Sequence, residues 1–537
     1  MTKQQVEQVA GIILGGLAAV VGAALLGGAV PAPIAPGSLP RIGTVDERFQ
    51  SFNIEMVEVT GGRFWKPYGK QVDAILQAQE KARKRGDKAP AGMDPELYQY
   101  RAPIDLANPR LRKLAAALGP AYLRVSGTWA NSTYFHDSES QPPATPPEGF
   151  GSVLTRAQWK GVVDFARAVN AKLITSFATS TGTRDETGVW TPRQARQFLD
   201  YTKSVKGSIA AAEFMNEPNF AVLAGVPKGY DAKAYARDLA VFLPFAKKEA
   251  PDMVILGPGS VGEGGSLVKE GASLPFPMLK SEDLLAATGP VFDAFSYHFY
   301  GAVSQRCASM GPGGTTPVDA LSDEWLARTN SAEAYYRGMR DRFNFGKPMW
   351  LTETADAACG GNPWGATFLD SFRYVNQLGS LAKRIVQVVA QNTLSASDYG
   401  LVDERTLTPR PNYWSAVLWR RFMGATVLEA GPVSEPAIHV YAHCLAGVPG
   451  GVALLAINAD RGVYKPIEVA VAAERYTLTA TDLLGSAVRL NGSELRLGYD
   501  GELPRFVPVP SPAGQVMLAP ASITFLAIPA ANNQSCR

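Results

Sequence analysis

Apolar runs of β type alternate with helical patterns eight times between residues 51 and 393, and this alternation restricts the fold more than any other feature of the chain. The strand-like runs cover 51–59, 121–129, 171–179, 209–215, 253–256, 293–300, 349–354 and 385–393. Helical periodicity fills the gaps, for example at 159–169, 192–205, 235–248, 332–343 and 367–382. Strands joined through helices pair in parallel, and eight such units close a sheet on itself. The expected fold class is therefore α/β, a (β/α)8 TIM barrel. Beyond residue 428 the pattern changes to short alternating runs at 438–444, 452–457, 476–480 and 522–527, separated by turns such as Val448-Pro449-Gly450-Gly451. That is the signature of a C-terminal all-β sandwich domain.

The chain has 537 residues, 46% of them hydrophobic and 19% charged, enough to bury more than one core. The expected division is a catalytic barrel at 41–424 and a β-sandwich at 425–537. Residues 62–100 break the barrel's rhythm and read as an insertion after the first strand. Its basic run, Lys81-Ala82-Arg83-Lys84-Arg85, reads as a solvated helix face. A net charge of +3 and the absence of a long basic tail argue against nucleic acid as a partner and leave an acidic polysaccharide open. The chain is expected to act as a monomer.

Residues 1–40 hold an uncharged run at 9–30 and a Pro-rich segment at 31–40, which reads as an export signal, with a membrane anchor as the alternative. Four cysteines in an exported chain suggest two disulfides, with three pairings open. No C-x-x-C or H-x-x-H spacing occurs, so no metal is expected.

Two carboxylates carry the chemistry. The apolar run Ala211-Ala212-Glu213-Phe214-Met215 ends in Asn216-Glu217-Pro218, where a proline that cannot join the ladder would leave Glu217 at the carboxyl end of the fourth strand. A helix N-terminus with a first-turn Glu is the alternative for so short a motif. The partner is Glu353, which ends the apolar run Met349-Trp350-Leu351-Thr352 on the seventh strand. Two carboxylates across one cleft suit glycoside hydrolysis, because their repulsion holds a proton on one and leaves the other ionised. His298 and Tyr300, two apart on the sixth strand, face the same way.

These stretches resemble clan A glycoside hydrolases, and more specifically heparanase and the bacterial β-glucuronidases of glycoside hydrolase family 79. The matching segments are 120–128, 213–219, 350–354, 398–404 and 412–415. The resemblance implies Glu217 as acid/base, Glu353 as nucleophile, Asn216 as donor to the sugar 2-hydroxyl, and retention through a covalent intermediate. It implies that Glu55 and Thr128 bind sugar hydroxyls, that His298 and Tyr300 contact the sugar and orient the nucleophile, and that Gln391 meets the next sugar on the non-reducing side. The uronate carboxylate would be held by Tyr399 and by backbone N–H groups of Cys359-Gly360-Gly361, where Cys359 departs from the family's glycine. No cofactor is implied. Cys307 and Cys359 follow adjacent strands and are expected to pair, and Cys444 with Cys536 matches the family's C-terminal bridge.

The expected activity is that of a retaining endo-β-glucuronidase cleaving heparan sulfate-type polysaccharide. The alternatives are an exo-β-glucuronidase acting on other glycans and an inactive carbohydrate-binding protein. Arg184 and Arg306 read as cations for a sugar polymer. The segment 136–151 is short, so a single chain active without processing is expected.

Overall fold

The computed structural model describes residues 33–85, 94–265, 267, 277–310, 314–432 and 435–537. Most of the expected export or anchor segment, residues 1–32, lies outside the described residues. Among the described residues no helix is long and apolar enough to cross a membrane.

Eight parallel strands close a barrel: β1 (Gln50–Glu55), β2 (Ala121–Ser126), β3 (Ala171–Ser176), β4 (Ile209–Glu213), β5 (Val254–Val261), β6 (Ala294–Val303), β7 (Met349–Ala358) and β8 (Val388–Gln391). β8 pairs with β1 to complete the ring. The strands are buried on both faces, inside by one another and outside by helices, which is why they read as unbroken apolar runs. Each is followed by a helix: α1 (Pro109–Ala116), α2 (Arg156–Ala168), α3 (Arg193–Ser204), α4 (Ala232–Glu249), α5 (Ser281–Thr288), α6 (Asp323–Phe343), α7 (Phe368–Lys383) and α8 (Pro411–Phe422). Local signals set their ends. At α2, Thr155 and Gln158 satisfy each other's backbone N–H groups at 3.2 and 2.8 Å, and Trp159, Val162 and Phe165 then face the strands.

Several strand ends differ from the sequence expectation. β1 stops at Glu55 because Met56–Thr60 turns into a short helix, in which the Glu55 N–H donates to Glu58 Oε2 at 2.7 Å. β4 stops at Glu213, four residues before Glu217. The insertion forms a hairpin of Gly62–Trp65 with Tyr98–Arg101 and a helix, Lys70–Lys84. Lys81, Lys84 and Arg85 of its basic run are exposed, and Lys84 pairs with Glu80 at 2.9 Å.

The C-terminal β domain contains β9 (Met423–Leu428), β10 (Ile438–Leu445), β11 (Val452–Asn458), β12 (Lys465–Val469), β13 (Ala473–Thr479), β14 (Gly514–Leu518) and β15 (Ser522–Ile528). Its main sheet runs β9-β10-β11-β15-β13, with β12 and β14 forming a separate two-stranded ribbon. Alternation along β11 and β15 decides the packing. Leu455, Ile457 and Phe525 join the barrel-side core with Trp419 and Phe422, while Leu454, Ala456 and Leu526 pack with Ile467 and Val516 of the ribbon. Residues 41–44, expected with the barrel, instead form an edge strand of this sheet, Arg41–Thr44 pairing antiparallel with β9. The domain is thus built from both ends of the chain, and the Cys444–Cys536 disulfide ties its tail to β10.

Candidate active site

The carboxyl ends of β1, β2, β4, β6, β7 and β8 converge on a cluster of charged side chains. Arg124 on β2 is its hub, 1% exposed. Its Nη1 donates to Glu353 Oε2 at 2.7 Å, and its Nη2 donates to Glu213 Oε2 at 2.9 Å and to Asn216 Oδ1 at 2.7 Å. His298 Nδ1 donates to Glu217 Oε1 at 3.0 Å, and the Tyr300 hydroxyl donates to Glu353 Oε1 at 2.6 Å. Asn392, just after β8, donates from Nδ2 to Glu55 Oε1 at 3.0 Å, to Tyr300 at 3.0 Å and to Tyr399 at 3.2 Å.

Two local devices aim the carboxylates. On β7 the register slips, so that Tyr297 faces Leu351 while His298 faces Glu353, leaving Thr352 as an extra residue. Consecutive side chains on a strand normally point to opposite faces, but a bulge re-aims them. Here the Thr352 hydroxyl reaches Glu213 Oε1 at 2.7 Å while Glu353 meets Arg124 and Tyr300. After β4, Asn131 grips the backbone of Asn216 by two bonds of 2.9 Å, and Glu217 takes a left-handed φ of 48° before Pro218 opens a 3-10 helix. That conformation is strained for a residue with a side chain and persists because its surroundings hold it.

One oxygen of Glu217, one of Glu353 and a ring nitrogen of His298 lie within 4.8 Å of one another. Burial and the charge of Glu353 hold the Glu217 carboxyl above the ordinary range, against the hydrogen bond from His298. For Glu353 burial also disfavours charge, but His298, Arg124 and the Tyr300 hydroxyl outweigh it and bring the group below that range. Glu213 is lowered in the same way, its burial overcome by Arg124 and His298. Burial opposes charge on His298, but Glu353, Glu213 and Glu217 raise it to about 9. A cationic ring makes its 3.2 Å approach to Arg124 a contact between two donors, tolerated because Glu213 lies against both. Two cations, Arg124 and His298, thus face two anions, Glu213 and Glu353, while Glu217 holds its proton more tightly than an ordinary carboxyl does. Glu55 is also pushed well up by burial and Glu353.

Among the described residues, Glu217, His298 and Glu353 are the one grouping with enough ligand atoms for a metal ion. A dication there would lie against the Arg124 guanidinium and would have to displace the proton that His298 holds, so the donor set suits proton transfer rather than metal binding.

The other expected site residues are dispersed differently. Glu55 lies 5% exposed at the end of β1, its Oε2 without a hydrogen-bond partner among the described residues. Gly127 lets it sit there: a Cβ at that position, where φ is 89°, would fall 1.6 Å from Glu55 Oε2. Thr128 opens the 3-10 helix Thr128–Ser132 and is half-buried. Cys359, Gly360 and Gly361 form a turn after β7, with the Cys307–Cys359 disulfide at its start. Tyr399 lies beside it, its ring 6.5 Å from that of Tyr300. Gln391 departs from expectation. Its side chain is 1% exposed and its Nε2 donates to the carbonyls of Asn392 and Tyr399, so it braces a loop instead of facing a sugar. Arg184 and Arg306 are buried too, paired with Asp238 at 2.6 Å and Asp398 at 2.5 Å, and offer no free charge to a polymer.

Arg124, Glu213 and Asn392 are members of the cluster that the sequence reading missed. A signal for the first two existed, since a charged residue inside an apolar barrel strand is buried at high cost unless paired. Asn392 carried none.

No protein-family model matches the chain. It is 25% identical over 507 residues to "Heparanase-like protein 1" of Arabidopsis thaliana, covering 84% of this chain and 89% of the relative. It is 27% identical to "Heparanase" of Mus musculus, covering 80% and 88%. With "Baicalin-beta-D-glucuronidase" of Scutellaria baicalensis it shares 30% identity over 46% of this chain and 50% of the relative. An α-L-arabinofuranosidase from Thermotoga maritima superposes with a TM-score of 0.58 at 14% identity, covering 91% of this chain and 98% of that structure. A 4-O-α-L-rhamnosyl-β-D-glucuronidase from Fusarium oxysporum does so with a TM-score of 0.57 at 12% identity, covering 91% and 99%. The protein is a glycosidase, similar to the heparanases and glucuronidases.

Proposed function

We propose that the protein is a retaining β-glucuronidase that cleaves glucuronosyl linkages within heparan sulfate-type polysaccharide. The observation that carries this is the Glu217–Glu353 pair, with carboxylate oxygens within 4.8 Å and pKa values pushed apart. Inverting glycosidases hold their carboxyls about 6.5–9.5 Å apart to admit a water, whereas retaining ones hold them about 5–5.5 Å apart. Glu353, ionised, attacks the anomeric carbon and forms a glycosyl-enzyme ester. Glu217, protonated, gives its proton to the leaving oxygen and then, as a carboxylate, takes one from the incoming water. His298 occupies Glu217 Oε1, which leaves Oε2 to carry the proton.

Asn216 has its Oδ1 taken by Arg124, so its Nδ2 faces the sugar 2-hydroxyl as a donor. Glu55, whose carboxyl burial pushes well up, offers Oε2 to a sugar hydroxyl, and Thr128 offers its own hydroxyl. Tyr399 and the N–H groups of the turn at 359–361 receive the uronate carboxylate. The substrate class rests on the relatives, several named heparanase and one "Hyaluronoglucuronidase", from Hirudo nipponia. Two disulfides suit an exported protein working as a monomer outside the reducing cytoplasm.

A second reading, exo-action on single terminal glucuronates, is favoured by the burial of Arg184 and Arg306, which removes two cations from the polymer's path. The test compares release of a chromogenic β-glucuronide with size reduction of heparan sulfate, using Glu353→Gln as control. Shortening of the polymer supports the first reading. Release from the aryl glucuronide alone supports the second, and turnover of neither by the parent rejects both.

A further inference from the structure

Arg306, in the loop after β6, touches neither carboxylate of the pair yet joins three other segments: the turn beside them, the insertion and the loop that carries Asp398. Its Nη1 donates to the carbonyls of Cys359 at 3.4 Å, Gly360 at 3.1 Å and Gly361 at 3.1 Å. Its Nη2 donates to the Lys66 carbonyl at 2.6 Å and to Asp398 Oδ2 at 2.5 Å. The ring of Tyr68, from the insertion, lies 3.8 Å from the guanidinium carbon, and that of Trp65 lies 5.9 Å from it.

The turn needs such a clamp. Cys359, Gly360 and Gly361 have φ of 63°, 79° and 82°, three successive left-handed residues. The first has a side chain and is strained there. Added Cβ atoms would fall 2.7 Å from Ser397 Oγ at 360 and 3.1 Å from the Tyr399 ring at 361. Further ties hold the same carbonyls: Ser304 to Cys359 at 2.9 Å, Ser397 to Gly360 at 2.7 Å and Tyr68 to Gly361 at 3.0 Å. With the carbonyls drawn to one side, the N–H groups of Gly360 and Gly361 have no acceptor among the described residues. Backbone N–H groups in such a turn form a concavity suited to an anion.

We propose that Arg306 is a positioning residue for uronate selection: by holding the carbonyls of 359–361 it aims the opposite N–H groups at the substrate carboxylate. This rests on reading the turn as the carboxylate subsite. Asp398 neutralises the guanidinium, so what reaches the substrate is geometry rather than net charge. Through Lys66, Tyr68 and Trp65 the same residue makes the insertion a buttress of the site.

The test measures kcat/KM of the parent, Arg306→Lys, Arg306→Gln and Tyr68→Phe on 4-nitrophenyl β-D-glucuronide and on 4-nitrophenyl β-D-glucoside, which lacks the carboxylate. Thermal midpoints and inhibition by free glucuronate are read alongside. The glucuronide-to-glucoside ratio is expected to fall about 10- to 100-fold in the Arg306 variants, the range for losing charged hydrogen bonds, with weaker glucuronate inhibition. Tyr68→Phe, which keeps the ion pair and the fold, is expected to shift the ratio the same way by roughly 3-fold. An equal fall on both substrates, or an unchanged ratio in Tyr68→Phe where the Arg306 variants do not fold, overturns the proposal and leaves the glucuronidase reading standing. A parent that prefers the glucoside or hydrolyses neither overturns that reading, and the proposal with it.

Discussion

Replacing Arg124 with methionine removes the one guanidinium on which two buried carboxylates depend. Arg124 lies 2.7 Å from Glu353 and 2.9 Å from Glu213, and the three are 1%, 5% and 0% exposed. Unit charges about 4 Å apart at an effective dielectric of about 20 attract by about 4 kcal/mol, equivalent to about a thousand-fold in a protonation equilibrium. Glu353 is held below the ordinary carboxylate range only because His298, Arg124 and Tyr300 together overcome its burial. Without Arg124, Glu353 binds its proton at higher pH. The proposed mechanism needs it ionised, so the acidic limb of the kcat/KM profile is expected to move to higher pH. Glu213, left without its guanidinium, adds about 3–5 kcal/mol of lost stability. The assay is kcat/KM on a chromogenic β-glucuronide across pH, with a thermal melt at each point. A uniform loss of rate with the acidic limb unmoved would refute the electrostatic account and leave Arg124 a packing residue.

In the parent, kcat/KM is expected to be bell-shaped. The rising limb reports ionisation of Glu353, below the ordinary carboxylate range, and the falling limb reports deprotonation of Glu217, above it. His298, at about 9, stays charged over the plateau, and Glu217→Gln should abolish the falling limb. Glu58, buried beside Glu55, is raised to about 7 chiefly by burial, so between about 4.5 and 7 the folded state binds the extra proton and stability falls as pH rises. Glu58→Gln should therefore stabilise the protein by about 3 kcal/mol above pH ~7, a gain that fades toward pH ~5, and a pH-independent melting difference would contradict this. The Cys307–Cys359 bridge encloses a separation of 52 residues. Its loss in Cys307→Ser/Cys359→Ser should cost about 4 kcal/mol on the chain-entropy account, seen as a lower melting midpoint without reductant. Coincident melts of variant and parent would count against it.

The sequence alone determined the barrel and singled out the two carboxylates, Glu217 and Glu353, proposed to react. Parallel strands covered on both faces must be apolar throughout, so eight runs such as Ala121–Ser126 and Met349–Ala358 stand out locally, and a carboxylate ending such a run, as Glu353 does, is visible without a structure. The two-residue spacing of His298 and Tyr300 likewise required only strand geometry. The tertiary structure decided how those groups are charged. Arg124 meets Glu213 and Glu353 across 89 and 229 residues of chain, and no local pattern encodes which buried cation finds which anion. It also decided direction: the bulge at Thr352 turned neighbouring side chains to one site, and Gln391, Arg184 and Arg306 went inward to brace loops. Periodicity reports which face of an element is buried, whereas register slips and long-range ion pairs depend on what the finished barrel brings alongside.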